Sequence, residues 1–278
     1  MQRSTRIGNR LLAALPPADF DLLAPHLKKV SLERDAVLVR SGDPTEQIYF
    51  PRSGTIAFIM EMPNGQTVAT AVVGNEGAVG MLTSLGPSPS PTTAVVRVTG
   101  TAWQISPAQF RAALRHSGAI RRAVQIHSRA LLAQFQHVAA CNALHSVEAR
   151  LARWLLHIHD RAHGDMLPLT QEALSELLGV RRTTVTQVVR KLRASGAIRS
   201  NRRSSIEIDR PRLEAAACQC YNIMRARIDR IVASQEPGVH SPGPQEIRRA
   251  PAPLPVKAKD VPRHAGSRAA ASSRPRNH

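Results

Sequence analysis

The chain is short of three things, and each shortage excludes something. Only three cysteines occur in 278 residues, Cys141, Cys218 and Cys220. They are too few and too unevenly placed for a disulfide framework, which points to a reducing compartment, the cytoplasm. Acidic residues are scarce as well: 20 Asp+Glu stand against 38 Lys+Arg, a formal net charge of +18. A basic excess of this size attracts polyanions, so nucleic acid leads the expected partners and an anionic membrane surface follows. Long apolar runs are missing too. None approaches the roughly 18 residues that a membrane span needs, and the polar stretch Met1–Gly8 is not followed by an apolar signal core, so neither spanning nor secretion is expected. What the chain does have is 42% hydrophobic residues, enough to bury a sizeable core and to rule out a wholly disordered polypeptide.

Hydrophobic periodicity changes along the chain. Leu11, Leu12 and Leu15 precede Pro16-Pro17, and Phe20, Leu22, Leu23 and Leu27 follow, which reads as two short amphipathic helices. Residues 30–105 then alternate in short runs. Val37–Val39, Ile48–Phe50, Thr55–Met60, Thr67–Val73, Ala94–Val98 and Ala102–Ile105 are strand candidates, separated by turn signals of which Asn64-Gly65 is the best. Many short strands at close spacing imply an antiparallel sandwich or barrel. Ser106-Pro107 opens a helix. After a break at Ser117-Gly118 a longer one covers 119–143, about 25 residues or roughly 37 Å. Its stripe Ile120, Val124, His127, Leu131, Gln134 and Val138 suggests a seam with a second copy of the chain. Ser146 caps the next helix, which runs to about Arg161. From 236 onward eight of the chain's 20 prolines accompany Ser, Ala and Arg, a composition that cannot offset its ordering entropy and implies a disordered basic tail.

The informative stretch is 167–208. Thr170 caps a short helix with Leu174, Leu177 and Leu178 inward, and Gly179 ends it. A second helix follows from about Arg182 to Ala194, burying Val185, Val188, Val189 and Leu192. Two helices joined by a short glycine-containing turn form a helix-turn-helix unit, and the runs Ala197–Arg199 and Ile206–Ile208 read as a β-hairpin wing. No acid lies between Glu176 and Glu207, while Arg181, Arg182, Arg190, Lys191, Arg193, Arg199, Arg202 and Arg203 do. Such units lay the start of the second helix in the major groove of double-stranded DNA. Arg181, Arg182, Thr183, Thr186, Gln187 and Arg190 therefore stand as base-reading candidates. Thr170, Lys191, Arg193, Arg199, Arg202 and Arg203 stand as phosphate or wing contacts.

A β-rich first half, a long connecting helix and a winged helix-turn-helix together resemble the Crp/Fnr superfamily of bacterial transcription regulators over about residues 9–233. TQEALSELLGVRRTTVTQVVRKL is similar to that family's pattern, with Arg182 at the guanine-reading position and Thr184-Val185 after it. Thr183 stands where a glutamate is common and Gln187 where a second arginine is common. CNALHSVEARLARWLL and EAAACQCY look like segments of an alphaproteobacteria-rich branch. The resemblance implies an α+β chain. Residues 1–8 would be an extension, 9–118 an antiparallel, jelly-roll-like β-roll with flanking helices, 119–145 a dimerisation helix, 146–233 the winged helix-turn-helix and 234–278 the tail. It also implies a homodimer on a palindromic operator, with RNA polymerase as a further partner.

The resemblance implies a small-molecule effector pocket around Val79, Gly80, Met81, Thr92 and Thr93. Val79-Gly80-Met81 replaces the family's Phe-Gly-Glu, and Ser90 to Ala94 replaces its Arg-Ser/Thr-Ala, so neither the ribose-binding carboxylate nor the phosphate-binding arginine is present and cyclic AMP is not the expected effector. Three cysteines cannot ligate an iron–sulfur cluster within one chain. Cys218-x-Cys220 has the wrong spacing for a zinc knuckle or redox pair, and His157, His159 and His163 read as surface residues, so no metal or cofactor is expected. The alternative reading is a regulatory module that controls a protein partner through its winged helix. An enzyme is not expected, because the sequence shows no phosphate-cradling glycine loop, no nucleophile elbow and no Cys/His metal constellation.

Overall fold

The computed structural model describes residues 7–233 apart from Pro87, His163 and 202–204. The extension up to residue 6, the wing-tip pair Arg202 and Arg203, and the basic tail from 234 lie outside the described residues. Helices α1 (Arg10–Ala13) and α2 (Pro17–Asp21) lead into strands β1 (Lys28–Leu32), β2 (Val37–Val39), β3 (Ile48–Pro51), β4 (Thr55–Glu61), β5 (Thr67–Val73), β6 (Thr93–Val98) and β7 (Gly100–Ile105). Helices α3 (Pro107–His116), α4 (Gly118–Leu144) and α5 (Val147–His159) follow. Then come β8 (Met166–Leu167), α6 (Gln171–Leu178), α7 (Arg182–Ala194), β9 (Ile198–Asn201), β10 (Ser205–Ile208), α8 (Arg210–Ala216) and α9 (Cys220–Ala233).

The first seven strands form two antiparallel sheets, ordered β1-β7-β3 and β2-β6-β4-β5. Asn64-Gly65 turns the β4–β5 hairpin, with Gly65 at φ +77° and the Met62 N–H bonded to the Gln66 carbonyl at 2.8 Å. Strand β1 was not among the expected strands, because Lys28 and Lys29 give it no apolar alternation. It is held by its pairing with β7, from Lys28 opposite Gln104 to Leu32 opposite Gly100. Serine caps work as their position suggests: Ser106, Ser117 and Ser146 each accept a bond from the N–H three residues on.

The run Thr55–Ile59 is buried throughout, not alternately. An antiparallel sheet commonly has one wet face; here both are covered. Ile56, Phe58, Ala71, Val73, Ala94 and Val96 point into the roll with Leu131 of α4. Ala57, Ile59, Ala69, Val72 and Val95 point outward, into a core that also contains Trp154, Leu155, Leu174 and Leu177 of the C-terminal half. Charged groups bridge the same junction. Arg97 of β6, 4% exposed, pairs with Asp35 at 3.2 Å and with Glu176 of α6. Glu76 and Arg161, both largely buried, pair at 2.6 Å. Burial alone would raise the Glu76 carboxyl, but the charge and hydrogen bond of the Arg161 guanidinium, together with backbone N–H donors, outweigh it and hold the group below its ordinary value.

The long helix differs from its expected role. Ile120, Val124, His127, Leu131, Gln134 and Val138 are all buried within the chain itself. Leu131 enters the roll core, and the Gln134 amide oxygen accepts the N–H of Val72 on the sheet-edge strand β5 at 3.3 Å. These six residues are therefore not a dimer seam. A stripe of spacing three and four marks a buried helix face, and the chain's own sheet occupies it. The exposed stripe of the same helix is Gln125, Arg129, Leu132, Gln136, Ala139 and Ala143.

One buried amide fastens three segments. Asn9 Oδ1 accepts the Leu12 N–H at the start of α1, while its Nδ2 donates to the carbonyls of Pro51 and Gly77, both at 2.9 Å. Asn9→Ala removes a helix cap and leaves two buried carbonyls unpaired, so urea unfolding should show a loss of about 2–3 kcal/mol. A loss under about 0.5 kcal/mol, the usual range for a surface change, would show that Asn9 does not fasten them.

Candidate nucleic-acid interface and effector cavity

The helix-turn-helix is built from local signals that the structure realises one by one. Thr170 caps α6 by accepting the Ala173 N–H at 3.1 Å. Gly179 takes φ +65° and returns its N–H to the Ser175 carbonyl at 2.9 Å. An added Cβ there would also lie 3.1 Å from the Val68 side chain of β5, so the turn is packed against the roll. Arg150 of α5 donates to the Leu178 carbonyl at 2.6 Å, fixing the end of α6 just before the turn. Helix α7 buries Val185, Val188, Val189 and Leu192. Its opposite face exposes Arg181, Arg182, Thr183, Thr186, Gln187 and Arg190 together. The helix starts at Arg182 with no side-chain cap, so its first N–H groups and positive dipole end face outward beside two arginines. The wing is a three-stranded sheet ordered β8-β10-β9, in which β8 was not expected from the sequence.

The acid-free run does not make an acid-free surface. Arg182 pairs with Glu172 of α6, Lys191 approaches Glu148 at 3.7 Å and Arg199 approaches Glu207 at 3.6 Å. All three cations are well exposed, so each pair is worth at most about 1 kcal/mol and yields readily to a phosphate or a base edge. Arg193 and Lys191 occupy the last turn of α7.

Residues 149–216 match the Crp-like helix-turn-helix domain, and residues 29–117 match the cyclic nucleotide-binding domain. The chain belongs to the Crp/Fnr superfamily of transcription regulators. No curated protein matches it. Solved structures similar in fold include FixK2 from Bradyrhizobium japonicum, at 17% identity and TM-score 0.59 over 69% of this chain and 98% of that one. The c-di-GMP-responsive regulator CLP of Xanthomonas campestris matches at 19% identity and TM-score 0.57 over 69% and 99%. A CRP-family regulator of Thermus thermophilus matches at 20% identity and TM-score 0.55 over 68% and 96%. As a Crp/Fnr regulator the chain is a DNA-binding transcription regulator. None of its described helices is long and apolar enough to cross a membrane.

Inside the regulator's β-roll lies a cavity of about 270 Å³. Val79, Gly80, Met81 and Thr92 line it with Phe58, and His127, Leu131 and Phe135 of α4 close it. Thr93 does not join them. It faces the other side of β6, accepts the Ser41 N–H at 3.0 Å and lines a separate groove with Thr170 and Glu176. Thr92 lies in the bend just before β6 and Thr93 is the first residue of the strand, and the chain turns between them, so the two line different pockets. Among the described residues no Asp, Glu, Lys or Arg lines the cavity.

Two expectations about histidine and cysteine also change. His157 is buried with its ring tilted against Tyr221, centroids 5.2 Å apart, and His159 sits between Asp165 and Arg210 at 2.8 and 3.0 Å. His163 lies outside the described residues. The expectation of no metal-ligating cluster does not hold for the cysteines. Cys141, Cys218, Cys220 and His145 converge, which spacing within either segment alone did not reveal.

Burial pushes the His127 ring down from 6.5 to about 4, against the opposing pull of the Glu76 carboxylate and the Ala78 backbone. The unfolded chain therefore takes up this proton first as pH falls. Its contribution to stability is intact above about pH 6.5 and is lost between there and about pH 4, a swing of about 3 kcal/mol. His157, also held low by burial, adds to the slope. His127→Leu should flatten part of the acid limb in urea unfolding measured across this range. An unchanged limb would show that His127 is not buried and neutral.

Proposed function

We propose that this Crp/Fnr regulator binds a palindromic operator as a homodimer, with α7 in the major groove. The observation that carries this reading is the exposed face Arg181, Arg182, Thr183, Thr186, Gln187 and Arg190 at the uncapped start of α7. Arg182 reads guanine; Gln187 and the threonine methyls contact adenine and thymine. Lys191, Arg193 and Arg199 hold phosphates, as does the Thr170 hydroxyl. The two copies meet along the exposed stripe of α4, where Ala139 and Ala143 permit close helix approach and Leu132, 56% exposed, supplies apolar contact. Half-sites then lie about one helical turn apart. RNA polymerase is a further partner if the regulator activates transcription, and the cytoplasm is the place of action we infer. The exposed, basic reading face favours DNA over a protein partner for the winged helix.

Arg182→Ala should relax base preference at one position of each half-site by about 1–3 kcal/mol in a site-selection series. Arg193→Ala should leave preference intact, weaken all DNA binding and reduce the salt slope by about 0.9 for each phosphate that is no longer neutralised. If Arg182→Ala left sequence preference untouched, α7 would not be the reading helix.

The effector we infer is small and uncharged, because the cavity's described lining combines apolar and aromatic walls with serine and threonine hydroxyls and a neutral imidazole and includes no cation. A cyclic phosphate there would lack a charge-assisted partner. Calorimetry should show no saturable binding of cyclic AMP at submillimolar concentration. Submillimolar binding competed by cyclic GMP would overturn the inference.

A further inference from the structure

The end of the long helix carries a donor set that DNA binding does not use. Cys141 lies in the last turn of α4, and His145 is the residue on which that helix ends, its N–H returned to the Cys141 carbonyl at 3.1 Å. Cys218 and Cys220 flank the start of α9, just beyond the residues that match the helix-turn-helix domain. Cys141 Sγ lies 3.5 Å from Cys218 Sγ, and Cys220 Sγ lies 3.6 Å from His145 Nδ1. All four donor atoms fall within 4.8 Å of one another. Cys141 is fully buried, and Cys218 and Cys220 are each 8% exposed.

The Cys141–Cys218 and Cys220–His145 separations match two edges of a single coordination tetrahedron, and the remaining pairs, all within 4.8 Å, lie within about 1 Å of such an edge. Zinc–sulfur bonds of about 2.3 Å and zinc–nitrogen bonds of about 2.0–2.1 Å place ligand atoms about 3.5–3.8 Å apart. A disulfide would need about 2.05 Å. A four-iron cluster keeps its ligands further apart, because the cluster itself lies between them, and is ordinarily held by four thiolates.

A second observation points the same way. Arg153 of α5 is fully buried, and its Nε, Nη1 and Nη2 find no hydrogen-bond acceptor among the described residues. Its guanidinium stacks over Trp154 at 4.3 Å and lies within electrostatic reach of Cys141 and Cys218. An unpaired buried cation is expensive. Three thiolates, a neutral imidazole and a divalent ion carry one net negative charge, which is the countercharge that Arg153 lacks.

We propose that Cys141, His145, Cys218 and Cys220 bind one zinc ion in a closed, four-ligand structural site. The site staples the end of the long helix to the segment after the wing. Four protein ligands leave no open position for substrate, so the ion holds structure and does not perform catalysis. The staple sits at the joint between sensor and reading helix, where it fixes how α9 lies along α4.

The test uses the full chain, purified without a metal-binding tag. Elemental analysis should find about one zinc per chain, and cobalt exchange should give the visible bands of a tetrahedral thiolate site. Cys220→Ser and His145→Ala should each reduce the zinc content at least about fivefold, a change read on soluble protein that keeps its far-ultraviolet helix signal. Because the unmutated chain is measured first, a variant that fails to fold leaves the proposal falsifiable. A zinc-free chain with three titratable thiols and no cobalt thiolate bands would overturn it. So would a Cys141–Cys218 disulfide by mass spectrometry, iron with acid-labile sulfide, or variants that keep full zinc.

Discussion

The outer face of the four-stranded sheet is the surface on which the rest of the molecule depends. Ala57, Ile59, Ala69, Val72 and Val95 of β4, β5 and β6 belong to the same core as Trp154, Leu155, Leu174 and Leu177. Two of these five sheet residues are alanines, which let a helix approach closely, and α6 packs there against β4 and β5. Since the opposite face of the same strands fills the roll and meets α4 through Leu131, each strand serves both halves of the chain. The sensor and the reading unit are therefore not beads on a linker. They share strands, and the position of α7 follows from how α6 sits on the sheet.

Buried charge sharpens what the apolar contact leaves loose. Arg97 reaches from the sheet to Glu176 on α6, Arg150 holds the last carbonyl of that helix, and Arg161 reaches back to Glu76. Apolar burial is non-directional; a guanidinium that must find its acceptors allows few registers. These arginines come from a chain whose basic excess suggests only polyanion binding. Part of that excess lies inside, orienting the helix-turn-helix, and part of what lies outside is already neutralised by Glu172, Glu148 and Glu207.

Much of the fold was legible because its signals are local. Thr170 and Gly179 announce the helix-turn-helix through capping chemistry that needs no tertiary partner, and Asn64-Gly65 announces its hairpin in the same way. The run Thr55–Ile59 reads as part of an alternating pattern, and only its burial shows a sheet covered on both sides. Features that depend on distant segments were not legible. Strand β1 exists only because β7 pairs with it. The stripe from Ile120 to Val138 reads identically whether its partner is another chain or the chain's own sheet, and burial decides for the latter. Thr92 and Thr93 are neighbours in sequence, yet the bend before β6 turns one into the cavity while the other opens the strand and lines the groove. The donor cluster escaped for the same reason: Cys141 and His145 are a helical turn apart, an i, i+4 pair that shares one face, but their companions come from beyond the wing.

The pair between Glu76 and Arg161 has a consequence for motion. It joins a loop of the roll to the residues just past α5, and neither partner can leave alone without stranding a charge away from water. A contact of that kind does not stretch by degrees. Any departure of the C-terminal half from the roll must break it outright and hydrate both ends at once, which makes the junction behave as a catch with two positions and no intermediate setting.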